Sequence, residues 1–174
     1  EENGVYYIDN ETEMLQLTKT VLNHDMKMVR KMEGKSAMDI LEEAGIHPNR
    51  PVRLVVVRTF AKHPLVLEEC LMPVVPLVAV ADFEEALETA LFTEQGYRHT
   101  AMVHSQCIDR LSKAAKIMNT TVFIKNGSSL AGIGLNGEEM ASFTIANVTG
   151  EGITTARDFA CKRSCTLTSG FSLR

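Results

Sequence analysis

Arg53-Leu54-Val55-Val56-Val57-Arg58 is a continuous, β-branched apolar run with no polar alternation. That pattern belongs to a buried strand of a parallel sheet, covered by helices, rather than to a half-wet antiparallel one. Before it, Val5-Tyr6-Tyr7-Ile8 is a short β-prone run ended by Asp9-Asn10. Asn10 is a fitting N-cap for a helix whose apolar positions, Met14, Leu15, Leu17, Val21 and Leu22, carry it to about Met32. Gly34-Lys35-Ser36 breaks that helix, Ser36 caps a second over Ala37 to Ala44, and Gly45 suits its C-terminal stop. After the run, a short helical segment covers Pro64 to Leu71, and Val74 to Val80 is strand-like with Pro73 and Pro76 at its start. Asp82 and Glu85 form a capping-box-like pair for a helix closed by Gly96. A strand over Thr100 to His104, a helix over Ile108 to Met118 and a strand over Thr121 to Lys125 follow. A glycine-rich loop runs from Asn126 to Glu139, Thr154 to Ala160 is helical, and Cys165 to Leu173 forms a terminal strand. Strands alternating with helices specify an α/β fold, a mostly parallel sheet with flanking helices, over residues 1–174 as one domain.

Composition narrows the function classes. The chain has 174 residues, 45% of them apolar and 23% charged, the usage of an ordinary globular domain. The net charge is −4 and the 18 Lys and Arg form no long run, which argues against nucleic acid or an anionic membrane as partner. No apolar stretch approaches the roughly 20 residues of a membrane span. Four cysteines without paired spacing read as reduced thiols. The chain begins at Glu1, with no signal-peptide pattern, and reads as a piece of a longer protein.

Several constellations could carry chemistry. Gly132-Ile133-Gly134-Leu135-Asn136-Gly137 has the G-x-G-x-x-G spacing of dinucleotide sites. Six residues separate it from the strand ending at Lys125, and Glu138-Glu139 would oppose a phosphate, so a structured glycine loop is the better reading. His104 and Cys107 lie three apart, a spacing open to a nucleophilic dyad, but a strand-end histidine and a small packed cysteine explain them more simply. Cys161 and Cys165 have no His or Cys partner nearby and make a poor metal site. Glu68-Glu69 precede the apolar, proline-started run Cys70-Leu71-Met72-Pro73-Val74. A solvated helix end accounts for that spacing, while a carboxylate accepting both hydroxyls of a ribose is the functional alternative. His99 opens a strand, where an imidazole packs or bonds locally more often than it moves protons.

Four segments taken together resemble the aldehyde dehydrogenase superfamily. They are Glu69-Cys70-Leu71-Met72-Pro73-Val74-Val75-Pro76, His99-Thr100-Ala101-Met102-Val103-His104-Ser105, Val122-Phe123-Ile124-Lys125-Asn126-Gly127 and Thr149-Gly150-Glu151-Gly152-Ile153-Thr154-Thr155-Ala156-Arg157. Their order and spacing are similar to the CoA-acylating branch, the acetaldehyde and propionaldehyde dehydrogenases of ethanolamine and propanediol utilisation, over residues 35 to 174. The resemblance implies the C-terminal part of a catalytic domain, with the cofactor domain and the nucleophilic cysteine upstream of Glu1. It implies conversion of a short-chain aldehyde and coenzyme A to acyl-CoA with NAD as hydride acceptor. Glu69 falls on the glutamate that bonds the nicotinamide ribose, and Leu71 on the apolar residue beside that ring. Asn126 falls on the asparagine ending the strand before the substrate-side loop. His99 matches a histidine of the acylating branch and is the candidate for acid–base help near the thioester. None of Cys70, Cys107, Cys161 or Cys165 falls on the nucleophile's position. The resemblance further implies a cytoplasmic homo-oligomer, with residues 164–174 as a candidate oligomerisation strand and a bacterial microcompartment shell as a candidate partner. The chain departs from the family at Thr166-Leu167-Thr168-Ser169, more polar than the usual apolar run, which weakens the oligomer expectation.

Two rivals stand beside this reading. A non-acylating aldehyde dehydrogenase would release a free acid, and His99-Thr100-Ala101 speaks against it. A non-catalytic α/β assembly module would need no nucleophile at all.

Overall fold

The apolar run at the centre of the sequence argument is the central strand of a three-stranded parallel sheet. Strand β2, Leu54–Thr59, lies between β1, Val5–Ile8, and β3, Val74–Val78, and pairs parallel with both. A computed structural model describes residues 3–136, 142, 154–161, 163, 164, 166 and 168. The chain divides into two compact units, Glu1–Gly96 and Tyr97–Arg174.

In the first unit, Val55 and Val57 of β2 are fully buried, with Leu54 and Val56 half-buried. Leu17 and Val21 of α1, Glu11–Val21, and Ile40 and Leu41 of α2, Ala37–Glu43, join them in one core with Ile8 and Leu65. Local sequence starts these helices. Asn10 accepts from the Glu13 amide at 2.9 Å, and Ser36 with Asp39 forms a complete capping box. Gly45, at φ 72°, takes the left-handed stop after α2. Helix α4, Phe83–Glu94, is capped by Asp82, while the Glu85 carboxylate reaches back to the Ala81 amide at 2.6 Å. Pro76 pairs with Val57 inside β3, which pairs with no further strand among the described residues, so a missing amide is tolerated there.

Two expectations for this unit are corrected. Helix α1 stops at Val21, not near Met32. Asn23 folds its side chain onto the amides of Asp25 and Lys27, both at 2.9 Å, a local bond that competes with helix. Met26 then takes φ 58°, Leu22 bridges Met28, and a short 3₁₀ helix covers Arg30–Met32. The segment expected to be helical over Pro64 to Leu71 is a single turn, α3, Pro64–Leu67. Beyond it Leu71 has φ 38° and its carbonyl accepts from the Gly34 amide at 3.0 Å, so the helical bonding pattern cannot continue.

The second unit holds a parallel pair, β4, Thr100–Val103, and β5, Val122–Lys125, connected by α5, Ile108–Met118. Ala114 and Met118 of α5 and Val122 and Ile124 of β5 are buried. A 3₁₀ helix at Ser129–Ile133 follows, and its buried Gly132 lies so close to β5 that a Cβ there would sit 2.6 Å from Val122 Cγ1. The helix expected over Thr154 to Ala160 is instead a run of turns. Asp158 and Ala160 donate to Thr155 and Arg157, and the Asp158 carboxylate accepts from the Thr155 amide and hydroxyl at 2.6 and 3.0 Å. These short bonds close one turn and stop. Gly137 to Glu139, residues 149–153 of the fourth family-like segment, and most of the terminal strand and oligomerisation strand at residues 164–174 lie outside the described residues.

Candidate active-site segments

In the first unit, Glu68 to Leu71 connect α3 to β3. His63 opens α3, its buried ring accepting the Leu65 amide on Nδ1 at 3.2 Å and meeting Phe60 edge-on at 5.3 Å. Burial holds the imidazole's pKa below its ordinary value. Glu68 is tied to Lys27, Nζ to Oε1 at 2.5 Å. Its neighbour Glu69 is exposed and makes no hydrogen bond or ion pair among the described residues, so its carboxylate is open to a ligand. Leu71 is also exposed, in a left-handed conformation that a leucine adopts only when its surroundings hold it there. Between them, Cys70 donates through Sγ to the Leu65 carbonyl at 3.5 Å. Burial first, then the Glu68 and Glu69 carboxylates, push this thiol's pKa up. That is the opposite of what a nucleophilic cysteine needs.

In the second unit, His99 precedes β4 and is exposed, with Nδ1 2.7 Å from the Thr100 hydroxyl. Its carbonyl accepts from the Val122 amide at the start of β5. Asn126 ends β5 at φ 54°. Its side-chain oxygen accepts from the Ser105 amide at 2.7 Å and its amide donates to the Ser105 carbonyl at 2.9 Å, fastening the carboxyl ends of β4 and β5 together. His99 and Asn126 therefore lie at opposite ends of one parallel pair, separated along the strands by roughly 16 Å for five residue steps. The carboxyl end is where ligands of open α/β sheets usually gather, and His99 stands at the other.

The remaining sequence signals find structural explanations. Gly132 and Gly134 belong to the 3₁₀ helix and its left-handed stop, not to a strand-to-helix phosphate turn. Cys107 caps α5, its amide donating to the Ser105 hydroxyl at 3.1 Å, and no hydrogen bond joins it to His104 among the described residues. Among the described residues Cys70, Cys107 and Cys161 are free, and no group of His, Cys, Asp or Glu could hold a metal. No helix among them is long and apolar enough to cross a membrane. Sequence reasoning missed Lys27, Gly34 and Ser105, which fasten the two segments. Their partners lie between 21 and 41 residues away, where no local pattern could show them.

No family model matches the chain. Over 146 residues, 83% of its length, it is 50% identical to the propanal dehydrogenase (CoA-propanoylating) of Salmonella typhimurium. Over 144 residues it is 41% identical to that organism's acetaldehyde dehydrogenase (acetylating) EutE. The chain spans about a third of the length of these relatives, 32% and 31%. Among solved structures, the Rhodopseudomonas palustris propionaldehyde dehydrogenase, with bound CoA and an acylated cysteine, superimposes with a TM-score of 0.88 at 40% identity, covering 95% of this chain and 38% of that one. The propionaldehyde dehydrogenase of the Clostridium phytofermentans fucose-utilisation bacterial microcompartment gives a TM-score of 0.86 at 36% identity, covering 100% and 40%. The α/β architecture and the resemblance read from the four segments thus have both sequence and structural matches behind them. Along most of its length, this chain belongs with the CoA-acylating aldehyde dehydrogenases, oxidoreductases to about a third of whose length it is homologous.

Proposed function

We propose that the protein of which this chain is a part oxidises a short-chain aldehyde, with coenzyme A and NAD, to acyl-CoA and NADH. The observation carrying this is the 50% identity over 146 residues to a CoA-propanoylating propanal dehydrogenase. A cysteine outside this chain attacks the aldehyde carbon to give a thiohemiacetal, which would become a thioester on losing hydride to the nucleotide; the acyl group then passes to the CoA thiol and frees the cysteine, so that aldehyde, CoA and NAD⁺ become acyl-CoA, NADH and a proton. NAD supplies the hydride acceptor when bound. This chain would hold its ribose through the open Glu69 carboxylate and flank its ring with Leu71, and both residues are exposed as such contacts require. A carboxylate suits a diol because its two oxygens accept from both hydroxyls. His99 takes the proton from the CoA thiol, and Asn126 shapes the substrate-side loop. A solved engineered glycolyl-CoA reductase holds NADP⁺, which makes the choice between NAD and NADP part of the test.

By the same reading this chain alone lacks dehydrogenase activity and binds NAD weakly, because a single ribose contact does not replace a phosphate cradle. The protein would be a cytoplasmic homo-oligomer; the microcompartment origin of one structural neighbour supports packaging in such a shell. The deciding experiment assays the full-length protein with acetaldehyde or propionaldehyde, each nucleotide, and CoA present or omitted. NADH formation that requires CoA and yields acyl-CoA is expected. CoA-independent release of free acid would establish the non-acylating reading instead.

A further inference from the structure

We propose that the excursion from Asn23 to Gly34 is a clamp that presets the loop Glu68–Leu71, with Lys27 as a positioning residue for the ribose contact at Glu69. This rests on the reading of Glu69 given above. The two ends of the loop are held by two points of the excursion, Lys27 and Gly34. Lys27 Nζ bonds Glu68 Oε1 at 2.5 Å, and the Gly34 amide donates to the Leu71 carbonyl at 3.0 Å. Glu69 and Cys70 lie between these anchors.

The clamp is itself fixed before it grips. Asn23 accepts the Lys27 amide on its side chain at 2.9 Å and donates its own amide to the Lys27 carbonyl at 2.8 Å, so the lysine backbone is set. Met32, buried in the core, anchors the stretch leading to Gly34. Leu71 shows that the grip is needed. A left-handed conformation is unfavourable for a leucine, and this one is exposed, so packing does not enforce it. Strained residues persist only where neighbouring bonds over-determine them, and the Gly34 bond is such a restraint. Lys27 also neutralises one of two adjacent carboxylates, leaving Glu69 as the one offered to a diol.

Kinetics of full-length Lys27→Met, Lys27→Arg and Glu69→Gln test this. Lys27→Met should raise the KM for NAD about twofold to fivefold, the range of an exposed ion pair. The KM for CoA and the melting temperature should stay as in the parent. Lys27→Arg should restore the parent value, and added salt should raise the KM for NAD less in Lys27→Met than in the parent, because screening removes a pair the variant already lacks. An unchanged KM for NAD in Lys27→Met, with a raised one in Glu69→Gln, would overturn the clamp and leave the ribose contact standing. No change in either variant would overturn the reading of Glu69 itself. A Lys27→Met protein that melts earlier and loses affinity for NAD and CoA alike would reduce Lys27 to a structural role.

Discussion

The segment before β3 and the segment before β4 both carry candidate site residues at the amino end of a parallel strand, yet they are secured in opposite ways. Glu69 sits in a loop fastened by residues far away in sequence, Lys27 and Gly34, above a core of fully buried Leu17, Val21, Ile40 and Leu41. His99 is held by the ladder it opens, its backbone carbonyl accepting from Val122 of the neighbouring β5 and its ring meeting the adjacent Thr100. The second unit has a thinner interior, formed among the described residues by Ala114, Met118, Val122, Ile124 and the close approach of Gly132. A loop fastened at a distance can be loosened by changes remote from it. A residue placed by a backbone ladder bond does not depend on any other residue's side chain for its position, so side-chain changes elsewhere should reach it less.

The sharpest contrast should come from His99→Ala in the full-length protein. The side chain is exposed and bonds only its neighbour among the described residues, so the melting temperature should barely move. Transfer of the acyl group to CoA should slow by about 10²-fold or more, the usual effect of removing a general base, while aldehyde oxidation slows less. Burst and transfer rates measured separately between about pH 6 and 9 would separate the steps. Equal slowing of both half-reactions, with earlier melting, would return His99 to a purely local role.

Leu17→Ala probes the other side of the comparison. This residue is fully buried in the core beneath the clamp, and truncation should cost about 2–5 kcal/mol in denaturant unfolding. A loss well under 1 kcal/mol would mean that the core relaxes around the gap. Gly132→Ala tests the thinner interior by adding rather than removing volume. The new Cβ would meet Val122 Cγ1 at 2.6 Å and Ile124 Cδ1 at 3.2 Å, and overpacking of this kind costs about 1–3 kcal/mol. An unchanged unfolding midpoint would show that the 3₁₀ helix can move off β5.

What the sequence revealed divides along the range of the interactions. The caps at Asn10, Ser36 and Asp82 were legible because each bonds an amide three residues on. The parallel strands were legible from apolar runs. The early end of α1 was not, although Asn23-His24-Asp25 is turn-prone, because the apolar spacing continued past it. The pairing of β1, β2 and β3 in one unit and of β4 and β5 in the other, among the described residues, depends on which strands meet, which no local pattern encodes. Glu69 and Asn126 stood out only through resemblance, because an exposed carboxylate and an amide at a strand end have ordinary local explanations. The structure adds that the Glu69 carboxylate is open and that the Asn126 side chain is engaged on Ser105.

The smallest effect concerns His63, which starts the turn leading into the Glu69 loop. Its Nδ1 must be unprotonated to accept the Leu65 amide, and burial holds its folded pKa below the ordinary value of about 6.5. As pH falls through that ordinary value, the unfolded chain takes up a proton that the folded chain still refuses. Stability should therefore be full above about pH 6.5 and decline below it, until the folded imidazole is protonated too. Hydrogen bonds lower the carboxyls of Asp39, Glu43 and Asp158 from their ordinary values of about 4, so the stability they contribute is lost only as pH falls through that ordinary range and does not mask this one. His63→Asn keeps an oxygen that can cap α3 but does not titrate. The variant should unfold with a shallower dependence on pH between about 5 and 7 than the parent. Identical slopes would mean that the buried imidazole contributes nothing to the pH response.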